Sequence, residues 1–303
     1  MSLELDSFSK KMTDELDLAI VQKPVSGFFA DNNLRGKFVG AKTVLIPEMA
    51  VSGLGDYDRD TGFVRGSISV TAKPYTLSMD RGRSFQLDRE DNEETGIADL
   101  AGQVMGEFVR TQVVPEVDAY VLSKLAAYAA GKTQTVTGTP ATDAFGMLLE
   151  AMGNAQNAVG YDEELVAFVD SAFWSALQAS SDLSRQLIAS DFRRGEVYTQ
   201  IRSFNGVAIL PVPDNRMKTA FTFYDGQTSG EEAGGFVPGE EADSIGLLLV
   251  PRRAASLVKK TEQVRTFDPT RNLDADAWKF DYRLYYDLFI RDPLAPGIYT
   301  YTY

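Results

Sequence analysis

The 303-residue chain contains no cysteine and no histidine. The first absence excludes disulfides, thiolate metal sites and cysteine nucleophiles. The second excludes Ser-His-Asp triads, HExxH zinc sites and the facial triad of non-haem iron, all of which need an imidazole. Long apolar runs are also missing, and none approaches the roughly 20 residues of a membrane helix. No membrane partner, cofactor or metal is therefore expected. The opening MSLELDSFSKKMTDELDLAIVQ has no basic stretch followed by an apolar block, so no signal peptide is expected either, which points to a soluble protein in a cytoplasm-like compartment. Basic residues are in deficit, 30 against 43 acidic ones, for a net charge of −13. A chain this acidic is repelled by phosphate polymers and does not condense on DNA through bulk electrostatics. The chemistry that remains open is that of carboxylates, lysine and tyrosine.

What is present is ordinary globular material, 44% hydrophobic and 24% charged, in one large domain or two modest ones. Leu5, Phe8, Met12, Leu16 and Ile20 form a narrow apolar stripe at helical spacing, stopped by Pro24 and Gly27. From about Lys42 to Asp91 the period changes to two. KTVLIPEM reads as one strand and SISVTAKPYTLSMD as another broken at Pro74, with the glycine- and aspartate-rich GLGDYDRDTGF between them. The pattern predicts an extended hairpin with few large apolar residues, and such a ribbon cannot offset its own chain entropy unless it lies on something.

Ile97, Leu100, Val104, Phe108, Val117, Val121, Leu125 and Tyr128 then predict a long helix from Thr95 to Gly131, with Thr95 as N-cap and Gly131 just past the end. Pro115 is expected to kink or break it, because it cannot donate to the carbonyl of Thr111. DAFGMLLEAMGNAQNAVG reads as a helix ended by Gly160, ELVAFVD as a buried strand, and Asp170 as the cap of a helix carrying Phe173, Trp174 and Leu177. Asn205-Gly206 marks a tight hairpin turn. Strands follow at TAFTFY and SIGLLLV, separated by an acidic glycine-rich loop, and the aromatic, alternating DAWKFDYRLYYDLFIRD and GIYTYTY suit a sheet.

Five groups of residues invite a chemical reading. Asp56, Asp58 and Asp60 imitate the start of a calcium loop, but Thr61 and Ser67 occupy the places of its glycine and its bidentate glutamate. A solvated turn is the better reading, with Asp56, Asp58, Arg59 and Asp60 free to meet complementary charge on a partner. Gly131-Lys132-Thr133 copies half a phosphate loop, yet it leaves a helix and lacks the nest of amides, so it reads as a helix end. Glu90, Asp91, Glu93 and Glu94 read as helix-start acids favoured by the macrodipole. Arg81 and Arg83 form a basic turn suited to an acidic partner surface, and Arg252, Arg253, Lys259, Lys260 and Arg265 form a second basic zone. Tyr299, Tyr301 and Tyr303 share one face of a terminal strand and read as packing.

In order and wording, AKTVLIPEM, GLGDYDRDTGF, SMDRGRSFQLDREDNEETG, VMGEFVRTQVVPEVDAYVLSKLA, FNGVAILPVPDNRM and DYRLYYDLFIRDPLAPGIY resemble the major capsid proteins of tailed bacteriophages with the Hong Kong-ninety-seven-type fold. The resemblance implies an α+β chain with an N-arm (1–38), an extended loop reaching over a neighbouring subunit (39–92), a peripheral domain (93–141 and 254–292) with a spine helix (95–131), and an axial domain (142–253 and 293–303). It also implies a structural protein without catalytic residues. Such a protein self-assembles as hexamers and pentamers into an icosahedral shell, in the virion and in the bacterial host cytoplasm where heads are built. Its implied partners are a separate scaffolding protein, portal and head-decoration proteins, and packaged double-stranded DNA held without sequence readout. No large charged N-terminal extension and no motif for a lysine–asparagine crosslink is found. An encapsulin-like nanocompartment shell is the alternative within this fold, and a carboxylate-based hydrolase is the alternative outside it.

Overall fold

The structure is a computed structural model that describes residues 25–30, 37–39, 42–88, 101–180, 188–194 and 197–303. The N-terminal stripe from Leu5 to Ile20, the acidic run Glu90–Glu94, and Thr95, Ile97 and Leu100 of the long helix lie outside the described residues.

Strands β1 (Lys37–Val39), β2 (Thr43–Val51) and β3 (Ile68–Thr76) form an antiparallel ribbon whose long pair runs without a register shift from Thr43↔Thr76 to Val51↔Ile68. Pro74 does not break it. Pro74 pairs with Leu45 on the edge strand, where a missing N–H is tolerated. The chain passes through Leu77 and Ser78 into β4 (Met79–Asp88). MDRGRSF is therefore not a turn but the first part of a strand. Gly82 is required within it, because a Cβ there would come within 2.9 Å of the Tyr282 carbonyl oxygen on the adjacent strand.

The long helix is present in two α-helical parts, α1 (Ala101–Phe108) and α2 (Val114–Gly131), joined by a π-turn at Val109–Val113. Pro115 does not break it. The wide turn ahead of it, with the Val114 N–H bonded to the Val109 carbonyl, places Pro115 in the first turn of α2, where no donor is needed. Gly131 is the last helical residue, and the left-handed residue after it is Thr133, at φ 58°.

Next come β5 (Thr135–Thr137), α3 (Pro140–Val159), β6 (Leu165–Val169), α4 (Ser171–Ala179), β7 (Ile188–Arg194), β8 (Val197–Phe204) and β9 (Val207–Pro211). Asp170 caps α4 as expected, its Oδ1 accepting the Phe173 N–H at 2.7 Å. Asn205 and Gly206, at φ 47° and 80°, make the turn between β8 and β9. Strand β10 (Phe221–Phe223) falls in TAFTFY as expected, and it pairs with a strand inside the acidic loop that the sequence did not announce, β11 (Phe236–Pro238). The chain ends with β12 (Ile245–Pro251), β13 (Ala255–Phe267), β14 (Ala277–Ile290) and β15 (Tyr299–Thr302).

These strands build a mixed seven-stranded sheet, β5-β15-β12-β6-β9-β8-β7, and an antiparallel sheet, β13-β14-β4. Strands β6 and β12 are buried along their whole length because both faces of the sheet are covered. Leu165, Ala167, Val169, Leu247 and Leu249 pack with α3 and α4, through Leu148, Met152, Phe173 and Leu177. The alternate residues Val166, Phe168, Leu248 and Val250 pack with α2 and with the second sheet, through Val121, Leu125, Tyr282 and Leu284. Tyr301 is buried in the interior of the sheet and Tyr299 half-buried, as the packing reading expects, whereas Tyr303 lies past the end of β15 and is exposed.

Candidate functional site

The ribbon is fixed only at its root. There Val44, Ile46 and Leu77 are buried against Tyr285 and Phe289 of β14, and the Tyr75 ring lies 4.9 Å from that of Phe289. Lys73 Nζ meets Asp292 Oδ2 at 2.5 Å, and the Tyr75 hydroxyl donates to the Ile290 carbonyl at 3.3 Å. At the strand crossover the buried Asp287 carboxylate collects Ser78 N–H and Oγ at 2.9 Å each, the Tyr120 hydroxyl at 2.7 Å, and the Lys124 ammonium. A charged acceptor with this many donors holds the root against the spine helix. The Lys124 ammonium stays charged, its partners outweighing its burial.

Beyond the root the ribbon has no core. Met49, Val51, Leu54, Tyr57, Phe63, Val64, Ile68 and Val70 are all exposed, from 60% for Tyr57 to completely for Leu54. The expectation of few large apolar residues is thus corrected: the outer part of the ribbon alone carries eight, none covered by described residues of its own chain. Their arrangement is directional. Val44 and Ile46 face the body, whereas Met49 and Val51, with their cross-strand partners Val70 and Ile68, occupy the opposite pleat face of the same unshifted ribbon. The root was read in the sequence as a strand through Val44 and Ile46, with the apolar Leu45 between them. The step from even to odd positions was the available signal for the outer half.

The tip is a turn rather than an ion site. Asp58 Oδ1 accepts the N–H groups of Asp60 at 2.6 Å and Thr61 at 3.1 Å, and Gly62, at φ 80°, closes the loop with a 2.8 Å bond to the Asp58 carbonyl. Those amides hold the Asp58 carboxyl below its usual range. Asp56, Arg59 and Asp60 are exposed beside it, with no ionic partner among the described residues. No group of acids placed to hold a metal occurs among the described residues.

Arg81 and Arg83 behave differently from expectation. Arg81 Nε and Nη2 fork onto Glu116 of the spine helix at 2.7 and 3.2 Å, and Nη1 donates to the Tyr224 carbonyl at 2.7 Å. Arg81 is therefore half-buried in its own subunit instead of standing free for a neighbour. Arg83 is exposed, with both terminal nitrogens 3.2 Å from the Glu232 carbonyl oxygen. Both reach the acidic glycine-rich loop, whose backbone carbonyls are the acceptors that its sequence did not reveal. Between that loop, β4 and the π-turn lies a cleft of about 400 Å³. Its carboxylates already have partners. Glu116 is neutralised by Arg81, Asp80 is held low by Arg283, and Asp225 is held low chiefly by the Thr228 amide. The carboxyls that burial raises, Asp118 and Asp170, are buried structural acceptors.

No protein-family model matches the chain, and no curated protein matches it. Solved structures do. The mature capsid of bacteriophage PhiM1 aligns with a TM-score of 0.55 at 13% identity, over 86% of this chain and 82% of that one. The capsid structure of the cyanophage P-SCSP1u aligns with a TM-score of 0.55 at 13% identity, over 88% and 84%. The acid-stable capsid of the Helicobacter pylori bacteriophage KHP30 aligns with a TM-score of 0.53 at 12% identity, over 85% and 83%. At such identities the likeness is one of architecture, and it bears out the α+β fold read from the sequence: this chain is built on the fold that these phage capsid structures share.

Proposed function

We propose that the protein is a major capsid subunit that assembles with copies of itself into a closed icosahedral shell around double-stranded phage DNA, and that it has no catalytic role. The observation that carries this reading is the ribbon's uncovered apolar face. Full burial of eight such side chains is worth on the order of 12–24 kcal/mol, the same size as or larger than the roughly 4–15 kcal/mol lost when two bodies associate. A surface of this kind is normally a contact surface. A contact donated by one copy and received elsewhere on the next is heterologous, and heterologous contacts close into rings when the rotation permits. The fold shared with phage capsids supports the shell as the assembled form. In this reading residues 1–38 are the N-arm, 39–92 the extended loop, 93–141 and 254–292 the peripheral domain, and 142–253 with 293–303 the axial domain. Scaffolding, portal and decoration proteins are partners of the assembled head in the host cytoplasm. The net charge of −13 suits a container that must admit DNA without trapping it.

Negative-stain imaging of the purified protein tests this directly. Shells, rings or curved sheets are expected; a compact particle that stays strictly monomeric at high concentration overturns the reading.

A further inference from the structure

Arg291, at the end of β14, is the unneutralised charge of the ribbon-root corner. Its Nε is buried with no hydrogen-bond partner, and no described carboxylate pairs with its guanidinium. The neighbouring charges are already matched. Asp292 holds Lys73, Glu164 holds Arg252 at 2.9 Å, and Glu163 reaches Arg253 at 3.3 Å. Two glutamates thus face three arginines. Burial and the like charge of Arg253 both disfavour the charged form of Arg291. A partly buried guanidinium beside a second arginine, with a donor left unused, is costly unless an anion meets it.

The ribbon tip has the opposite imbalance. Asp56, Asp58 and Asp60 stand against Arg59 and Arg65, all exposed. The tip cannot serve its own corner. Eight residue steps of paired strand, about 26 Å at 3.3 Å each, separate Val51↔Ile68 from the root pair Thr43↔Thr76, and the tip residues touch no core. We propose that a carboxylate from the Asp56–Asp60 run of a second copy closes on Arg291 and Arg253 of this one. The two halves of the contact then lie at opposite ends of one ribbon, so each subunit both gives and receives. A carboxylate suits the planar fork of arginine in either monodentate or bidentate form. The inference deepens the shell reading and rests on it.

Because the chain has no native cysteine, Asp60→Cys combined with Arg253→Cys reports the contact cleanly. Mild oxidation of assembled double variant is expected to give a ladder of covalently linked subunits on a non-reducing gel, which Asp60→Cys alone does not give. Shells that form normally but yield no ladder overturn this inference and leave the shell reading intact; wild-type protein that forms no shells fails the shell reading itself. Arg291→Met supplies a second readout. Removing an unpaired charge is expected to raise the free subunit's denaturation midpoint while lowering assembly at the wild-type assembly concentration. If assembly is unchanged and only retention of packaged DNA falls, the guanidinium serves phosphate and the proposal is overturned.

Discussion

Asp118 joins three distant parts of the chain through one fully buried carboxylate. Its oxygens accept the N–H groups of Val25 at 3.2 Å and Ser26 at 2.9 Å, at the start of the short 3-10 turn Val25–Phe29, and Arg216 Nη1 at 2.9 Å. Asp118→Ala would leave Arg216 buried without its partner and two amides without an acceptor. The expected loss is about 3–5 kcal/mol in urea denaturation of the free subunit, and a loss below about 1 kcal/mol, the level of an exposed pair, would show that the carboxylate does not fasten these segments. Acid response separates the carboxyls by sign. Ser171 donates its hydroxyl and its N–H to Asp214 at 2.6 and 2.9 Å and holds that carboxyl below the ordinary 3.8. Its contribution is therefore present above the unfolded value and lost as pH falls through the lower folded value. Burial raises Asp118 and Asp170, so their contribution runs the other way, present at low pH and lost as pH rises through the folded value. The stability deficit of Asp214→Asn is expected to be full at neutral pH and to vanish in strong acid; a deficit that does not change with pH would assign the effect to shape instead of charge.

Among the elements, the ribbon is separable and β4 is not. Its outer half shares no apolar cluster with the body, whereas Val44, Ile46 and Leu77 at the root do. Deleting Gly53 to Gly66 and closing Ser52 to Ser67 with an Asn-Gly turn should change the stability of the free subunit by less than about 1 kcal/mol, because an isolated two-stranded ribbon is itself marginal. The same deletion should abolish shells in the microscope. An unfolded deletion variant would place the ribbon inside its own subunit's core. The root, the capped helix α4, the Asn205-Gly206 hairpin and the helix ended by Gly160 were legible because local chemistry fixes them: an apolar strand run, a cap, two left-handed residues and a glycine at φ 93°. The elements misread were those in which tertiary context outweighs a local rule. Pro115 is accommodated by a π-turn before it, Pro74 by an edge, and Thr133 holds the left-handed position that Gly131 was expected to serve. Arg81 looked like a free turn residue because Glu116 and the Tyr224 carbonyl, 35 and 143 positions away, are invisible to any local pattern. The basic zone near Arg252 was visible as charge, but Arg291 was not counted with it, because only the pairing of β13 with β14 brings Arg291 beside Arg253.

At the scale of the whole molecule, the body beneath the ribbon is continuous. Helix α2 packs at once on the β13-β14-β4 sheet and on one face of the seven-stranded sheet, so the two sheets share a core. In the proposed shell, a body whose ribbon is left uncovered by the described residues of its own chain suits a chain of contacts in which every copy gives an arm and receives one. This makes a specific demand on mixtures. A subunit without Gly53 to Gly66 keeps the surface that receives a neighbour's ribbon but donates none, so it enters a ring and leaves one joint open. Each missing joint weakens a closed shell, because it removes part of the advantage of intramolecular closure. When wild type and deletion variant are co-expressed at graded ratios, the yield of sedimenting shells should therefore fall faster than the share of variant rises, with some variant found inside the shells that survive. A yield that falls only in proportion, with the variant absent from the particles, would mean that the truncated chain is merely excluded and that the receiving surface is not on the body.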